Sequence, residues 1–571
     1  MEGKKSTWIK RSILIILGIL VGIVGLLYFT DRKVFDGEFN DGSKITIENI
    51  SPTEIENLNK LCKVWGFTKY HHPKVVAGKV NWDYELFRVM PKVLNAKDSN
   101  EVDEILYGWI NEFGEIKEGK PSTTGAVMLE ADNGWIKDET YLNKELSDLL
   151  VKLSKTYITE RDKSYVAFQD DTYCDFKNED DYKNMNFDDD GYRILSLFRY
   201  WNIVHYFNPY RTVMGEDWNA VLNDFIPKFL EANDELSYKL TVAELSTKIH
   251  DSHGVTYDEN KTLQKFWGIN NAPLRFSKVE DKIVITKVIT NLAKDMDIKV
   301  GDVVVKVNDK DIFDVIKEKS KYISLSRDSA IVNNLTPYLF ATNEDSLKLD
   351  IERDGKEIKT EVKCSQINIY EEEGESNKLL YGNIGYINPG RLKQGEIDTI
   401  MKNFMDTRGI IIDLRYYPSD NLIYSLAGYI KPNKSQFSKI TMANQSVPGE
   451  FIYGEDLESG YDNPNYYKGK VIILNNECTQ SNAEFVTMSL RNAPNATVIG
   501  SNTIGADGNI TTIKLPGGVS TIMTGLGVYY PDKTETQRVG LEPDIRVEPT
   551  IEGIKAGRDE LIEKALDIIN S

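Results

Sequence analysis

The chain has 571 residues, 41% of them hydrophobic, with 69 Lys and Arg against 88 Asp and Glu for a net charge of −19. That length exceeds what one hydrophobic core serves and predicts about three or four domains. The acidic balance argues against nucleic-acid binding, since no basic excess is present to neutralise phosphates, and the four cysteines (Cys62, Cys174, Cys364, Cys478) have neither metal-ligand spacing nor the density of a disulfide framework.

Residues 12–30, from Ser12 to Thr30, form an almost wholly apolar run of about the length needed to cross a bilayer, preceded by Lys4, Lys5, Lys10 and Arg11. The run ends in Leu-Tyr-Phe-Thr without a small-residue cleavage site, so an uncleaved anchor over residues 1–34 is expected rather than a signal peptide. The positive-inside rule then leaves the N-terminus in the cytoplasm and the bulk of a single-pass cell-membrane protein outside.

Residues 50–118 read as helical, with Trp65, Phe67, Tyr70, Trp82, Leu86 and Val89 spaced for apolar faces. The pattern returns in residues 191–262: Trp65, Tyr70 and Pro73 recur as Trp201, Tyr206 and Pro209, Trp82 as Trp218, Pro91 as Pro227 and Ala96 as Ala232, every pair 136 positions apart. One unbroken register implies an internal duplication of a helical unit. Between the copies, residues 119–190 connect, and the run Asp188-Asp-Asp190 reads as a solvated stretch without the alternating ligand spacing of a calcium loop. Only the second copy ends in His250-Asp-Ser252-His253-Gly254, and by itself a histidine after a helix is a C-terminal cap favoured by the helix dipole.

Residues 270–365 change to short alternating strands with an Asp354-Gly355 hairpin turn. From residue 375 to the end, apolar runs such as Gly409-Ile-Ile-Ile-Asp413 and Lys470-Val-Ile-Ile-Leu474 alternate with helical stretches, which predicts an α/β domain. The second run leads through a short turn to Ser481-Asn-Ala-Glu484. These four residues have two readings: a capping box, or a hydroxyl held at a helix N-terminus where free N–H groups could receive a developing oxyanion.

Three stretches, in order and spacing, resemble the catalytic domain of the C-terminal-processing serine peptidases: Thr479-Gln-Ser481-Asn-Ala-Glu484, Val498-Ile-Gly500-Ser-Asn-Thr-Ile-Gly505 and Val539-Gly540-Leu-Glu-Pro-Asp544-Ile545. The resemblance covers most of the chain from about residue 245 onward. It implies a multidomain α+β architecture: the transmembrane helix, the duplicated helical region, a β-rich PDZ-like peptide-binding domain around Gly301-Asp302, and a crotonase-like α/β catalytic domain. The lysine base found in bacterial processing peptidases is missing from the matching loop, Gly505-Ala-Asp507-Gly508, so the resemblance points to the tricorn-like, histidine-base branch. In that branch Ser481 would be the nucleophile and His253 the base, oriented by Ser252. Oxyanion donors would be the Asn482 N–H and an N–H at Ser419 or Asp420, where Tyr416-Tyr-Pro-Ser419-Asp420 replaces the family's glycine pair. Gln537, with Glu535 and Glu542 nearby, stands where the branch carries a carboxylate. The function implied is a membrane-anchored extracytoplasmic serine endopeptidase acting on unfolded or loosely folded peptides by a Ser/His mechanism, with no metal or organic cofactor. The alternative is a catalytically inactive peptide-binding scaffold or sensor on the same fold.

Overall fold

The computed structural model describes residues 36–122, 125–169, 172–289, 293, 295–370 and 374–571. The expected membrane segment, residues 12–30, lies outside them; among the described residues no helix is long and apolar enough to cross a membrane.

The helical region opens with helices α1 (Pro52–His71), α2 (Trp82–Leu94) and α3 (Ser99–Asn111), followed after the connecting segment by α4 (Asp190–Phe207), α5 (Trp218–Glu231) and α6 (Glu235–Thr247). Their starts follow from local chemistry: Ser51 and Glu54 form a capping box on α1, and Asp98 and Asp234 accept backbone N–H groups at the heads of α3 and α6. The two units repeat one another atom for atom at their centres. Trp65 and Trp82 donate their indole N–H groups to each other's carbonyls at 3.0 and 2.9 Å, and Trp201 and Trp218 do the same at 2.7 and 3.0 Å. Helices α1 and α4 cross at equivalent positions, Gly66 and Asn202; a Cβ on Gly66 would fall 1.8 Å from Asn202 Oδ1, so only glycine admits this approach. Histidines of the aromatic motif pack, His71 stacked on Phe67 and His205 on Trp201, and burial pushes their pKa values down to about 3 and about 4.

The connecting segment does more than bridge in solvent. Glu179 joins Lys69, Asp83 and Arg199 in a charge quartet with no side-chain exposure. Asp189 caps α4 and accepts the Ser43 N–H at 2.7 Å, while Asp190 accepts the Ile47 N–H at 2.6 Å. The acidic run expected to be solvated therefore fastens the segment at residues 43–47 to α4, because a helix N-terminus offers free N–H groups that carboxylates satisfy.

Residues 274–363 carry a sheet in the order Lys356–Lys363, Ser346–Arg353, Val303–Val307, Lys282–Val288, Leu274–Val279, with its own apolar core. Asp354 and Gly355 both take positive φ (52° and 72°) at the hairpin turn.

The last domain is built on a six-stranded sheet ordered Asn377–Leu380, Ile384–Ile387, Gly409–Asp413, Lys470–Asn475, Ala496–Gly500, Ile545–Arg546, parallel from the second strand onward. Its central strands are apolar throughout because both faces are covered. Ile410, Ile412, Val471 and Ile473 enter one core, and Ile411, Ile472 and Leu474 enter the other. Helix α7 (Asn482–Leu490) supplies Val486 and Met488 to the first core, and helix α8 (Glu560–Asn570) supplies Leu561, Ala565 and Ile569 to the second.

Candidate active site

Ser481 stands where the central strand Lys470–Asn475 gives way to α7. Its backbone, at φ 55° and ψ −123°, is a conformation that L-residues rarely adopt and that costs about 1–3 kcal/mol, so the surroundings must hold it in place. Two groups do so. Ser481 N–H donates to the Ala506 carbonyl at 3.0 Å and lies 3.1 Å from Glu484 Oε2, a second acceptor for the same hydrogen. Glu484, fully buried, also accepts from Thr503 Oγ1 and from the N–H groups of Gly505 (2.8 Å) and Ala506 (3.0 Å). Burial pushes its carboxyl upward while these four donors pull the other way. The Ser481 hydroxyl faces the Glu484 N–H in the capping-box position but makes no side-chain cap bond. A serine present only as a helix cap needs no positive φ; here the strained turn sets the hydroxyl at the edge of a cleft.

That cleft, about 450 Å³, is lined by Ser481, Gln480, His253, Tyr173, Tyr417 and the segment Gly508 to Ile510. His253 reaches it because the strand that follows, Thr256–Asp258, adds antiparallel to the hairpin Ile510–Leu515/Val519–Thr524 of the last domain. Thr524, at the end of that hairpin, offers Oγ1 at 2.9 Å from His253 Nδ1. Asp251 Oδ1 lies 3.5 Å from the same nitrogen and accepts the His253 backbone N–H at 3.0 Å. The second oxygen of Asp251 accepts the Thr524 N–H at 2.7 Å, which ties the histidine turn to the hairpin. Burial acts to raise the Asp251 pKa, but its hydrogen bond to the imidazole, the imidazole charge and the two backbone N–H groups outweigh this and hold it below the usual carboxylate range. His253 Nε2 is shielded from solvent and makes no hydrogen bond. With Nδ1 flanked by two acceptors, the proton belongs on Nδ1 and the free lone pair on Nε2.

The other expected site residues are placed differently. Ser252 bonds elsewhere: its hydroxyl accepts the Ser326 N–H at 2.9 Å and its own N–H donates to Ser326 Oγ at 2.8 Å, pinning the His253 turn to the β-rich domain. The groups at the imidazole Nδ1 are instead Thr524 and Asp251. Ser419 N–H is taken by the Pro389 carbonyl at 3.1 Å and cannot serve an oxyanion. The Asp420 carboxylate accepts the Gly395 and Asn421 N–H groups, and it is Tyr417, from the same loop, that borders the cleft. Asn482, the first residue of α7, has an N–H without an intrahelical partner. Gln537 is buried outside the cleft lining, with Oε1 unpaired. His250 takes positive φ, its backbone N–H donates to the Thr247 carbonyl at the end of α6 at 3.1 Å, and its Nε2 lies 3.1 Å from Glu216. Cys478 packs against the core of the β-rich domain. Among the described residues, no group of three or more His, Cys, Asp or Glu side chains is placed to hold a metal ion.

Asp251 was within reach of the sequence, two residues before His253, but its role depends on the turn that folds it back beneath the ring. Thr524, 271 positions away, gave no signal.

Residues 383–547 match the model of peptidase family S41. The fold is similar to mature CPAF complexed with lactacystin (TM-score 0.50, 13% identity, 66% of this chain and 98% of that one). It is likewise similar to a Ser-to-Ala mutant of CPAF (TM-score 0.53, 15% identity, 67% and 98%). A probable mannosyltransferase, KTR4 of Saccharomyces cerevisiae, is 28% identical over 129 residues, and the chain spans about a quarter of its length (26%, from 19% of this chain). The match to peptidase family S41 thus spans residues 383–547, the part of the chain that holds Ser481, and supports a serine-type peptidase.

Proposed function

We propose that this protein is a membrane-anchored, extracytoplasmic serine endopeptidase of the histidine-base branch, cutting unfolded or loosely folded peptides. One observation carries the reading: His253 lines the same cleft as Ser481, with Nδ1 flanked by Thr524 and Asp251 and with Nε2 unpartnered. In this arrangement Nε2 takes the Ser481 proton as Oγ bonds to the peptide carbonyl carbon. Asp251 stabilises the imidazolium, which returns the proton to the leaving amine; a water then repeats the sequence on the acyl-enzyme. The Asn482 N–H, free at the head of α7 next to Ser481, serves the carbonyl oxygen as it becomes negative. The anchor rests on the apolar run at residues 12–30, and peptide capture on the PDZ-like sequence of the β-rich domain.

A serine-reactive organophosphonate should label Ser481, and the full chain in detergent should degrade casein while Ser481→Ala does neither. If wild type is neither labelled nor active, the peptidase reading fails. Deleting residues 1–34 should move the protein from the membrane fraction to the soluble one; an unchanged distribution would remove the anchor.

A further inference from the structure

A second cavity, about 350 Å³, opens off the catalytic cleft and shares His253, Gln480 and Ile510 with it. It lies between the base's own segment, Ser252 to Thr256, and the β-rich domain, and neither Ser481 nor Tyr417 lines it. Its walls are apolar and aromatic. Trp267 is central, with the Tyr338 ring 4.8 Å away and the Tyr322 ring at 6.2 Å, and Leu263, Ile323 and Ile522 complete the surface. No Asp, Glu, Lys or Arg lines it. Side-chain amides that do are already engaged: Asn333 donates to Gln480 Oε1 at 2.9 Å, and Asn334 donates to the carbonyls of Ser252 and Ser324 at 3.0 and 3.1 Å. An uncharged aromatic cavity whose amides satisfy one another favours apolar groups and rejects charged ones, which would lose water without gaining a partner.

Position gives the cavity its side of the scissile bond. In acyl transfer the imidazole hands its proton to the leaving amine, so the residue carrying that amine sits on the imidazole side of the nucleophile. The cavity meets the catalytic cleft at His253, Gln480 and Ile510, and Ser481 does not line it. Resting on the peptidase reading above, we propose that this cavity receives the side chain immediately C-terminal to the scissile bond and selects a large apolar or aromatic residue there, with Trp267 and Tyr322 as specificity-determining residues.

Casein and a mixture of unstructured peptides, digested by the full chain in detergent, should show cuts mapped by mass spectrometry with Phe, Leu, Met or Tyr enriched just after the bond. A matched peptide pair with Phe or Ala at that position should differ in kcat/KM by about tenfold or more, the discrimination typical of an apolar pocket. Trp267→Ala should bring that ratio toward one. Tyr322→Ala, which removes a second ring of the same wall, should lower it in the same direction and remains informative if the Trp267 variant folds poorly. Enrichment confined to the residue before the bond, or a ratio near one in the wild type, would overturn the assignment; so would a ratio unchanged in both variants. Organophosphonate labelling of Ser481 separates the cases: a labelled but unselective enzyme loses only the pocket, whereas an unlabelled, inactive one loses the peptidase reading as well.

Discussion

Asp251 holds His253 at two points, accepting its backbone N–H at 3.0 Å and standing 3.5 Å from its ring Nδ1, while the other carboxylate oxygen takes the N–H of Thr524 at 2.7 Å. One buried carboxylate thus sets the ring's tautomer and also joins the end of the helical region to the catalytic domain.

Asp251→Asn should therefore lower kcat by about 10²- to 10⁴-fold, the range in which a wrongly protonated imidazole leaves a triad. The folded-state pKa of Asp251 lies below its ordinary value, so the stability it supplies is complete above about pH 4 and is lost as the pH falls through the folded-state value. Melting curves of wild type and Asp251→Asn should differ most above about pH 4 and converge below it. A constant difference across that window would mean that the carboxylate's charge is not what stabilises the junction.

The proposed mechanism joins the two groups in one proton transfer, so Ser481→Ala, His253→Ala and the double variant should leave similar residual activity. Multiplying losses in a steady-state assay would show that they act separately. His250→Ala should cost less than about threefold, since its partner is Glu216, away from the cleft.

The positive φ of Ser481 predicts a trade between strain and activity. Ser481→Gly should be more stable than Ser481→Ala by about 1–2 kcal/mol in denaturant titration, because glycine adopts this backbone without penalty. Equal stabilities would show that the turn relaxes once the hydroxyl is gone.

Glu484→Gln should reduce activity by about tenfold or more and destabilise by about 1–3 kcal/mol, since an amide cannot accept from Ser481, Thr503, Gly505 and Ala506 together without presenting an N–H to one of them. Loss of stability with full activity would make Glu484 a core residue that does not shape the nucleophile's turn.

Trp82→Phe and Trp218→Phe remove matching indole donors, each a second partner to a carbonyl inside a helix, so each should cost about 0.5–1.5 kcal/mol. Similar costs would express the duplication energetically; a cost in only one copy would show that the copies have diverged in how much strain they carry.

Local and periodic features were determined by the sequence itself. The 136-residue register marks two helical units, continuous apolar runs such as Val471 to Leu474 mark strands covered on both faces, and Asp354-Gly355 marks a turn that only positive φ can make. Ser481 could be placed at the head of a helix because strand, turn and cap all lie within a few residues. The strained backbone of that turn was not legible there: Ala506 and Glu484, acting together on its N–H, hold it at positive φ. Tertiary structure alone brought His253 into the cleft, by adding Thr256–Asp258 as an edge strand to a hairpin more than 250 residues later. It also engaged the Ser252 hydroxyl at the Ser326 backbone and paired the Ser419 N–H with the Pro389 carbonyl. The physical reason is the same in each case. A backbone or hydroxyl group has capacity for one or two hydrogen bonds, and which partner claims it depends on the chains packed around it, which neighbouring residues in the sequence do not specify.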